Sequence, residues 1–326
     1  MNRDSLADNP QNPYSISVQS FSLHHFPHII HRNGERLLWN PLLRKAFKNL
    51  PEERVRLQTL EFLLRDAKWP SARISCETAI RNVTEEANTV RADMICYDQN
   101  FKPAIIIECK APTIRLTGST ARQIAGYNRK VKAPYLYLTN GISDIFVKTG
   151  DDGASALPIS SSELFGPILP SAEEESLTYY VERGFAGDKS SPVIMNWLRQ
   201  ALPLFHARRN NGVETRFLDI GHTPEGEALS HYYQLHTLDK SSKLALTFMT
   251  GREGETRLVA IRNEGGANTG IVDINLELMA AKDKECGTLY HEAGSRKLDL
   301  SGLIDFTTFD NDHLYSLADR LGDKLQ

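Results

Sequence analysis

The stretch that decides the fold reads Arg91-Ala-Asp-Met-Ile-Cys-Tyr-Asp-Gln-Asn-Phe-Lys-Pro-Ala-Ile-Ile-Ile-Glu-Cys-Lys110. Two apolar runs, residues 94–97 and 104–107, flank a polar segment at 98–100 whose residue types favour a tight turn. The pattern predicts a β-hairpin, with Asp93 on the first strand and Glu108 near the end of the second.

Acidic and basic side chains are predicted to meet at one edge of the sheet. Side chains alternate between the faces of a strand, so Glu108 and Lys110 point one way and Cys109 points the other. Together with Asp93 they place two carboxylates and one ammonium at this edge. Carboxylate oxygens suit Mg²⁺, and a lysine beside the ion can orient or deprotonate a water and stabilise charge on a phosphate.

The alternative interpretation is that these charges are merely solvated at the end of a strand. Two observations count against it. Residues 104–107 are apolar on both faces, which predicts a central buried strand where unpartnered charges are costly. Gln123 and Tyr127 are four residues apart in a predicted helix over 120–130, so they share one face of it.

These residues, taken as a set, resemble the PD-(D/E)xK nuclease superfamily in the branch that carries a Gln-x-x-x-Tyr helix. Residues 50–141 resemble the N-terminal nuclease domain of the type I restriction endonuclease R subunit. The motifs are Pro51-Glu-Glu-Arg-Val-Arg56, Arg91-x-Asp93, Ile107-Glu-Cys-Lys-Ala-Pro112, Gln123-Ile-Ala-Gly-Tyr-Asn128 and Ala133-Pro-Tyr-Leu-Tyr-Leu-Thr-Asn-Gly141.

The resemblance implies a fold and a role for each residue of the site. The fold is an α/β restriction-endonuclease-like core of order α-β-β-β-α-β, matching a helix over 50–67, a strand over 74–83, the hairpin, the second helix and a strand over 135–139. Asp93 and Glu108 would ligate Mg²⁺, for which Mn²⁺ can substitute, and Lys110 would position the water. Gln123 and Tyr127 would contact substrate. A glutamate of the first helix, Glu53 in preference to Glu52, would reach the site through water, although Leu57 stands where the family often has Gln.

Positive charge is concentrated around these motifs. The whole chain carries a net charge of −3, which argues against nucleic-acid binding over its entire surface. Residues 101–132 hold seven Lys or Arg and one acid, a net +6 that leaves −9 for the remainder. A solvated helix face is the alternative, but clustering near a metal site favours phosphate contact. The predicted contact residues are Lys102, Arg115, Arg122, Arg129 and Lys130.

The rest of the chain predicts a second, β-rich domain. We predict an N-terminal extension at 1–45, the nuclease-like domain at 46–150, a Gly/Ser/Asp/Pro-rich linker at 151–175, and a C-terminal domain at 176–326. A helix over 191–209 precedes short alternating runs that end at 298–306 and predict a sandwich or a barrel. Residues 311–325 are predicted to be helical. This domain would serve target recognition, self-association or docking to a defence-system partner.

Several classes of protein are excluded by pattern. No run approaches the ~18 apolar residues of a membrane span, and the first residues lack the apolar centre of a signal peptide. The four cysteines lack metal-type spacing and are expected to be reduced thiols in a cytoplasmic protein. No Gly-x-x-x-x-Gly-Lys-[Ser/Thr] motif occurs, so no ATP binding is expected.

The leading hypothesis is therefore a Mg²⁺-dependent nuclease that hydrolyses phosphodiester bonds, with DNA as its expected substrate, in a restriction or defence system. One alternative is a catalytically silent module that uses the nuclease fold to bind nucleic acid or to dock a protein. Another is an interaction protein in which the C-terminal domain is the working part.

Overall fold

The computed structural model describes residues 17–32, 35–80, 90–150, 156–167, 176–206, 213–308 and 310–325. The chain divides into two compact units, residues 1–172 and 173–326. Cys96, Cys109 and Cys286 are buried thiols, and Cys76 is partly buried.

The N-terminal unit is built on one mixed sheet. Its elements are β1 (Val18–Gln19), β2 (His28–Arg32), β3 (Glu35–Asn40), β4 (Lys45–Lys48), α1 (Pro51–Arg65), β5 (Ile74–Ile80), β6 (Val90–Tyr97), β7 (Pro103–Cys109), α2 (Gly118–Val131), β8 (Tyr135–Thr139), β9 (Ser143–Thr149), β10 (Ala156–Pro158) and α3 (Ser161–Phe165). The sheet has the order β1-β9-β8-β7-β6-β5, with β10 also paired to β9, while β2–β4 form a separate antiparallel sheet.

Strand β7 occupies the middle of the mixed sheet, as its continuous apolar run predicts. It pairs antiparallel with β6 and parallel with β8, and α2 supplies the crossover that a parallel pair requires. Ile105 and Ile107 belong to the apolar cluster that includes α1, whereas Ile106 belongs to the cluster that includes α2. The sheet is therefore covered by one helix on each face, in the predicted α-β-β-β-α-β order.

Helix α1 begins at Pro51, where the missing N–H and the fixed φ of proline suit a first turn. Val55, Leu60 and Leu63 are fully buried on this helix, and Leu64 is partly buried. Residues before 46, predicted to be an extension, add β1 to the sheet beside β9.

The C-terminal unit contains α4 (Leu177–Glu182), α5 (Pro192–Phe205), β11 (Glu214–Leu218), β12 (His231–Thr237), β13 (Ser242–Thr250), β14 (Thr256–Glu264), β15 (Ala267–Asn275), α6 (Leu276–Ala280), β16 (Gly287–His291), β17 (Gly294–Leu298) and α7 (Asn311–Lys324). The seven strands pair antiparallel in sequence order. Because β11 and β17 form the two edges of an open sheet, the barrel alternative is wrong; the sandwich alternative stays a prediction.

One strand boundary in this unit differs from the prediction. The run over 298–306 was expected to be a strand, but β17 ends at Leu298 and turns follow. Asp299 Oδ1 accepts from the Ser301 N–H at 3.2 Å, and Asp305 Oδ1 accepts from the Thr307 N–H at 2.9 Å. These local side-chain bonds compete with a strand ladder and end the sheet.

Candidate active site

Asp93 and Glu108 lie on adjacent strands, one step beyond the pair formed by Met94 and Ile107. The two carboxylates lie close enough for the charge of Asp93 to raise the pKa of Glu108, after the larger effect of burial. The strands separate at this point. Asp93 Oδ2 accepts a hydrogen bond of 2.8 Å from the Cys109 N–H, so the carboxylate satisfies the amide where the ladder stops.

Lys110 is the direct partner of Glu108. Its Nζ lies 2.6 Å from Glu108 Oε1, and the side chains are 24% and 11% exposed. The Lys110 N–H donates to the Thr139 carbonyl at 2.9 Å, which ties the backbone after β7 to the end of β8. The structure thus brings the predicted trio Asp93, Glu108 and Lys110 to one end of the central strands.

Helix α1 contributes a third carboxylate and an arginine to this end. Arg56 Nη2 donates to Asp93 Oδ1 at 2.9 Å, and Arg56 Nη1 donates to Glu53 Oε2 at 2.8 Å. Glu53 is therefore linked to Asp93 through a guanidinium. Its contact with the site through water stays a prediction.

Arg56 is the residue of this site to which sequence reasoning gave no role. The available signal was the i,i+3 spacing of Glu53 and Arg56, which puts both side chains on one face of α1.

Burial, followed by the charge of Asp93, raises the pKa of Glu108; the hydrogen bond and charge of Lys110 lower it, and Glu52 raises it further. For Lys110, burial lowers the pKa, but the hydrogen bond and charge of Glu108, with Asp93 and Glu52, outweigh it and raise the pKa. The ammonium is therefore the favoured form of Lys110 at neutral pH.

The site carries an excess of negative charge when all its acids are ionised. Among the side chains that the structure describes at this site, the carboxylates of Glu52, Glu53, Asp93 and Glu108 face two cations, Arg56 and Lys110. No group of three or more His, Cys, Asp or Glu side chains within the described ranges is arranged to hold a metal ion together. Two carboxylates with several waters is nevertheless the usual Mg²⁺ environment, and the donor set of Asp93 and Glu108 fits it.

Helix α2 carries three of the predicted residues whose side chains lie outside the described part of the structure. Gln123, Tyr127 and Arg122 are placed only by their backbone in α2. Arg115 is exposed in the segment that joins Lys110 to α2.

The remaining predicted phosphate contacts lie at the other end of the sheet. Lys102 immediately precedes β7, and Arg129 and Lys130 occupy the last turn of α2, just before β8 begins. Because Ile105 pairs with Tyr135, the starts of β7 and β8 are neighbours, whereas Glu108 pairs with Leu138 at the opposite end of the two strands. The structure therefore does not bring Lys102, Arg129 and Lys130 together with the catalytic candidates.

Comparison with known families supports part of the resemblance. Residues 51–161 match the family described as type I restriction enzyme R protein N terminus. No curated protein matches the chain. Within the described residues, none of the helices combines the length and apolar character needed to cross a membrane. The match covers the whole arrangement from Glu53 to Lys110 and suggests a restriction-system, nuclease-like role for the N-terminal unit.

Proposed function

We propose that this protein is a PD-(D/E)xK-type, metal-dependent nuclease that hydrolyses phosphodiester bonds in DNA as part of a restriction or defence system. The observation that supports the proposal best is that Asp93 and Glu108 lie at the same end of the adjacent strands β6 and β7, where Lys110 bonds Glu108 at 2.6 Å. A site of this kind, with a carboxylate whose pKa is raised by burial and by the charge of a second carboxylate, is typical of catalytic centres.

Asp93 and Glu108 would hold a Mg²⁺ or Mn²⁺ ion. When bound, such an ion polarises a phosphate oxygen and lowers the pKa of a coordinated water. Lys110 would act as a cation rather than as a base, because its pKa is raised. Its Nζ, held by Glu108, would orient the water and stabilise charge developing on the phosphate. Gln123 and Tyr127 of α2 would contact the substrate.

Arg56 gives the site a second protein cation. Its guanidinium neutralises Asp93 and Glu53 in this arrangement and competes with any ion for the same carboxylate oxygens. We expect Arg56 to hold the two carboxylates close together before an ion binds, and to weaken ion binding in return.

A nuclease assay tests the proposal. Supercoiled plasmid, linear duplex DNA and RNA are incubated with Mg²⁺, Mn²⁺ or EDTA, and products are resolved on gels. Glu108→Gln and Lys110→Met should abolish cleavage. Lys48→Met, which removes the same charge from an exposed position on β4, should leave it unchanged. Cleavage in EDTA, or full activity in both site variants, would refute the proposed mechanism.

The ion pairs that Arg56 and Lys110 form with the carboxylates of the site favour a second candidate function. Both cations of the site already contact its carboxylates, as would suit a catalytically silent module that binds nucleic acid or docks a protein. Nucleic-acid binding without cleavage of any substrate, with or without a metal, would support this function instead. In either case the C-terminal unit would supply target recognition, self-association or docking to a defence-system protein.

A further inference from the structure

Five exposed cations gather at the end of the mixed sheet opposite Glu108. We name this the distal basic surface, formed by Lys102, Arg129, Lys130, Lys132 and Lys148. Ile105 on β7 pairs with Tyr135 on the parallel strand β8. Lys102 and Lys132 each lie three residues before one of these two partners, so both lie at the same end of the two strands. Lys148 pairs with Tyr135 on the next strand and completes the row.

Buried contacts fix the end of α2 against β9. Asn128 is fully buried, and its Nδ2 donates to the Ala133 carbonyl at 2.8 Å and to Thr149 Oγ1 at 3.3 Å. The Ala133 N–H returns a bond of 2.8 Å to Asn128 Oδ1. The flanking Arg129 and Lys130 are thereby held close to the end of β9, which carries Lys148.

The hairpin tip between β6 and β7 presents an aromatic ring beside these cations. Phe101 is 66% exposed and has a φ of 57°, a left-handed conformation that disfavours its side chain. Asp98 builds the turn around it: Oδ1 accepts from the N–H groups of Asn100 and Lys102 at 2.8 Å each. The turn therefore presents an apolar ring to solvent on a rigid support.

The charges at this end favour a polyanion. Among the described residues, the acid Asp98 lies near these cations, and its carboxylate accepts hydrogen bonds from two backbone amides. Asp151 and Asp152 follow β9 in the sequence and lie outside the described residues. Cations with an interspersed exposed aromatic match a phosphate backbone whose bases are free to stack. A base inside a duplex offers no open face, so the partner is single-stranded.

We propose that the distal basic surface and Phe101 form a binding site for single-stranded nucleic acid, separate from the candidate active site. Six residues along β7 separate Lys102 from Glu108, which corresponds to about 20 Å at ~3.3 Å per residue. A strand held there would anchor the protein without touching Asp93 or Glu108. The site goes beyond the proposed nuclease function, because binding at this distance requires neither a metal nor cleavage.

The experiment measures binding of labelled oligo-thymidine to the full chain in EDTA, where cleavage plays no part. Phe101→Asn removes the ring and keeps a residue that accepts a left-handed turn. Loss of one base stack should weaken binding about 5- to 150-fold. Arg129→Gln with Lys130→Gln should flatten the dependence of log affinity on log salt by about 0.7 for each phosphate that the variant no longer neutralises.

The control pair Arg44→Gln with Lys45→Gln removes the same charge from exposed positions in the turn before β4 and at the first residue of β4, and should change neither quantity. The same oligonucleotide annealed to its complement, and polyglutamate, test other partners. Unchanged affinity in Phe101→Asn, tighter binding of the duplex, or tighter binding of polyglutamate would each overturn the proposal. None of these results bears on Mg²⁺-dependent cleavage, so the two hypotheses fail independently.

Discussion

Replacing Arg56 by glutamine tests the electrostatic design of the candidate site. The guanidinium joins Asp93 and Glu53, and the three side chains are 14%, 18% and 8% exposed. Its removal leaves two carboxylates together without their shared cation. Breaking a fully buried pair costs about 3–5 kcal/mol, and partial exposure here reduces the expected loss to about 2–4 kcal/mol. For a unit of this size that corresponds to a melting temperature lower by roughly 5–15 °C.

A divalent cation should restore much of this loss. An ion at a concentration 100-fold above its Kd stabilises a folded protein by about 2.7 kcal/mol. In the wild type, Arg56 competes for Asp93 Oδ1, so the ion should bind more weakly there than in the variant. We therefore expect Mg²⁺ to raise the melting temperature of Arg56→Gln by more than that of the wild type.

The assay is thermal unfolding of both proteins in EDTA and across a Mg²⁺ series. Arg216→Gln is the matched control, because the Arg216–Glu214 pair is about half exposed. It should cost under about 1 kcal/mol and should not change the response to Mg²⁺. If Mg²⁺ stabilises the wild type and Arg56→Gln equally, Arg56 does not share its carboxylates with an ion and the reasoning is refuted.

Four further variants separate the structural and electrostatic roles of Asp93, Glu108 and Asp144. Asp93→Ala should lose about 1–3 kcal/mol because the Cys109 N–H is left without its acceptor. Asp93→Asn should lose less, as denaturant titrations of both variants would reveal. Burial and the charge of Asp93 raise the pKa of Glu108 above 4.5. The contribution of Glu108 to the free energy of unfolding is therefore full below pH 4.5 and is lost as pH rises. Glu108→Gln should lack this decline. Burial raises the pKa of Asp144 from 3.8 to about 6, so stability should fall by about 3 kcal/mol across that interval, and a pH series on Asp144→Asn should show no such fall.

Local patterns were sufficient to predict the centre of the N-terminal unit. The hairpin followed from Asp98 and Asn100 between apolar runs, and Asp98 does bond the turn amides in the structure. The strand over 135–139 has the bounds that its apolar run predicted. These elements are specified by neighbouring residues, so a single sequence was enough.

Contacts between distant residues account for what the sequence did not reveal. Arg56 and Asp93 are far apart in the chain, and no local pattern indicates that a helix will aim its arginine at that strand. Strand β1 has two residues and exists because it pairs with β9. Asp144 on β9 is a charged residue that is fully buried. Its Oδ2 accepts from the Phe21 N–H, so burial of this acid depends on that long-range contact.

The window of positive charge shows how chain direction can mislead an interpretation of the sequence. Residues 101–132 appear as one basic cluster, but β7 runs along the sheet to Glu108 and α2 runs back. The cluster is therefore divided between two ends of the sheet. Arg115 stays beside the catalytic candidates, while Lys102, Arg129 and Lys130 lie at the far end.

This division gives the two ends of the sheet opposite electrostatic roles. Among the side chains that the structure describes in the candidate site, carboxylates outnumber cations, so the end with Glu108 would attract a metal ion and would repel phosphate until that ion is bound. The end with Lys102 would attract phosphate whether or not that ion is bound. At a fixed ionic strength, affinity of this end for nucleic acid should then not require Mg²⁺, whereas cleavage should. In this arrangement one end of the sheet would hold the protein on nucleic acid, while cleavage at the other end would require a bound metal ion.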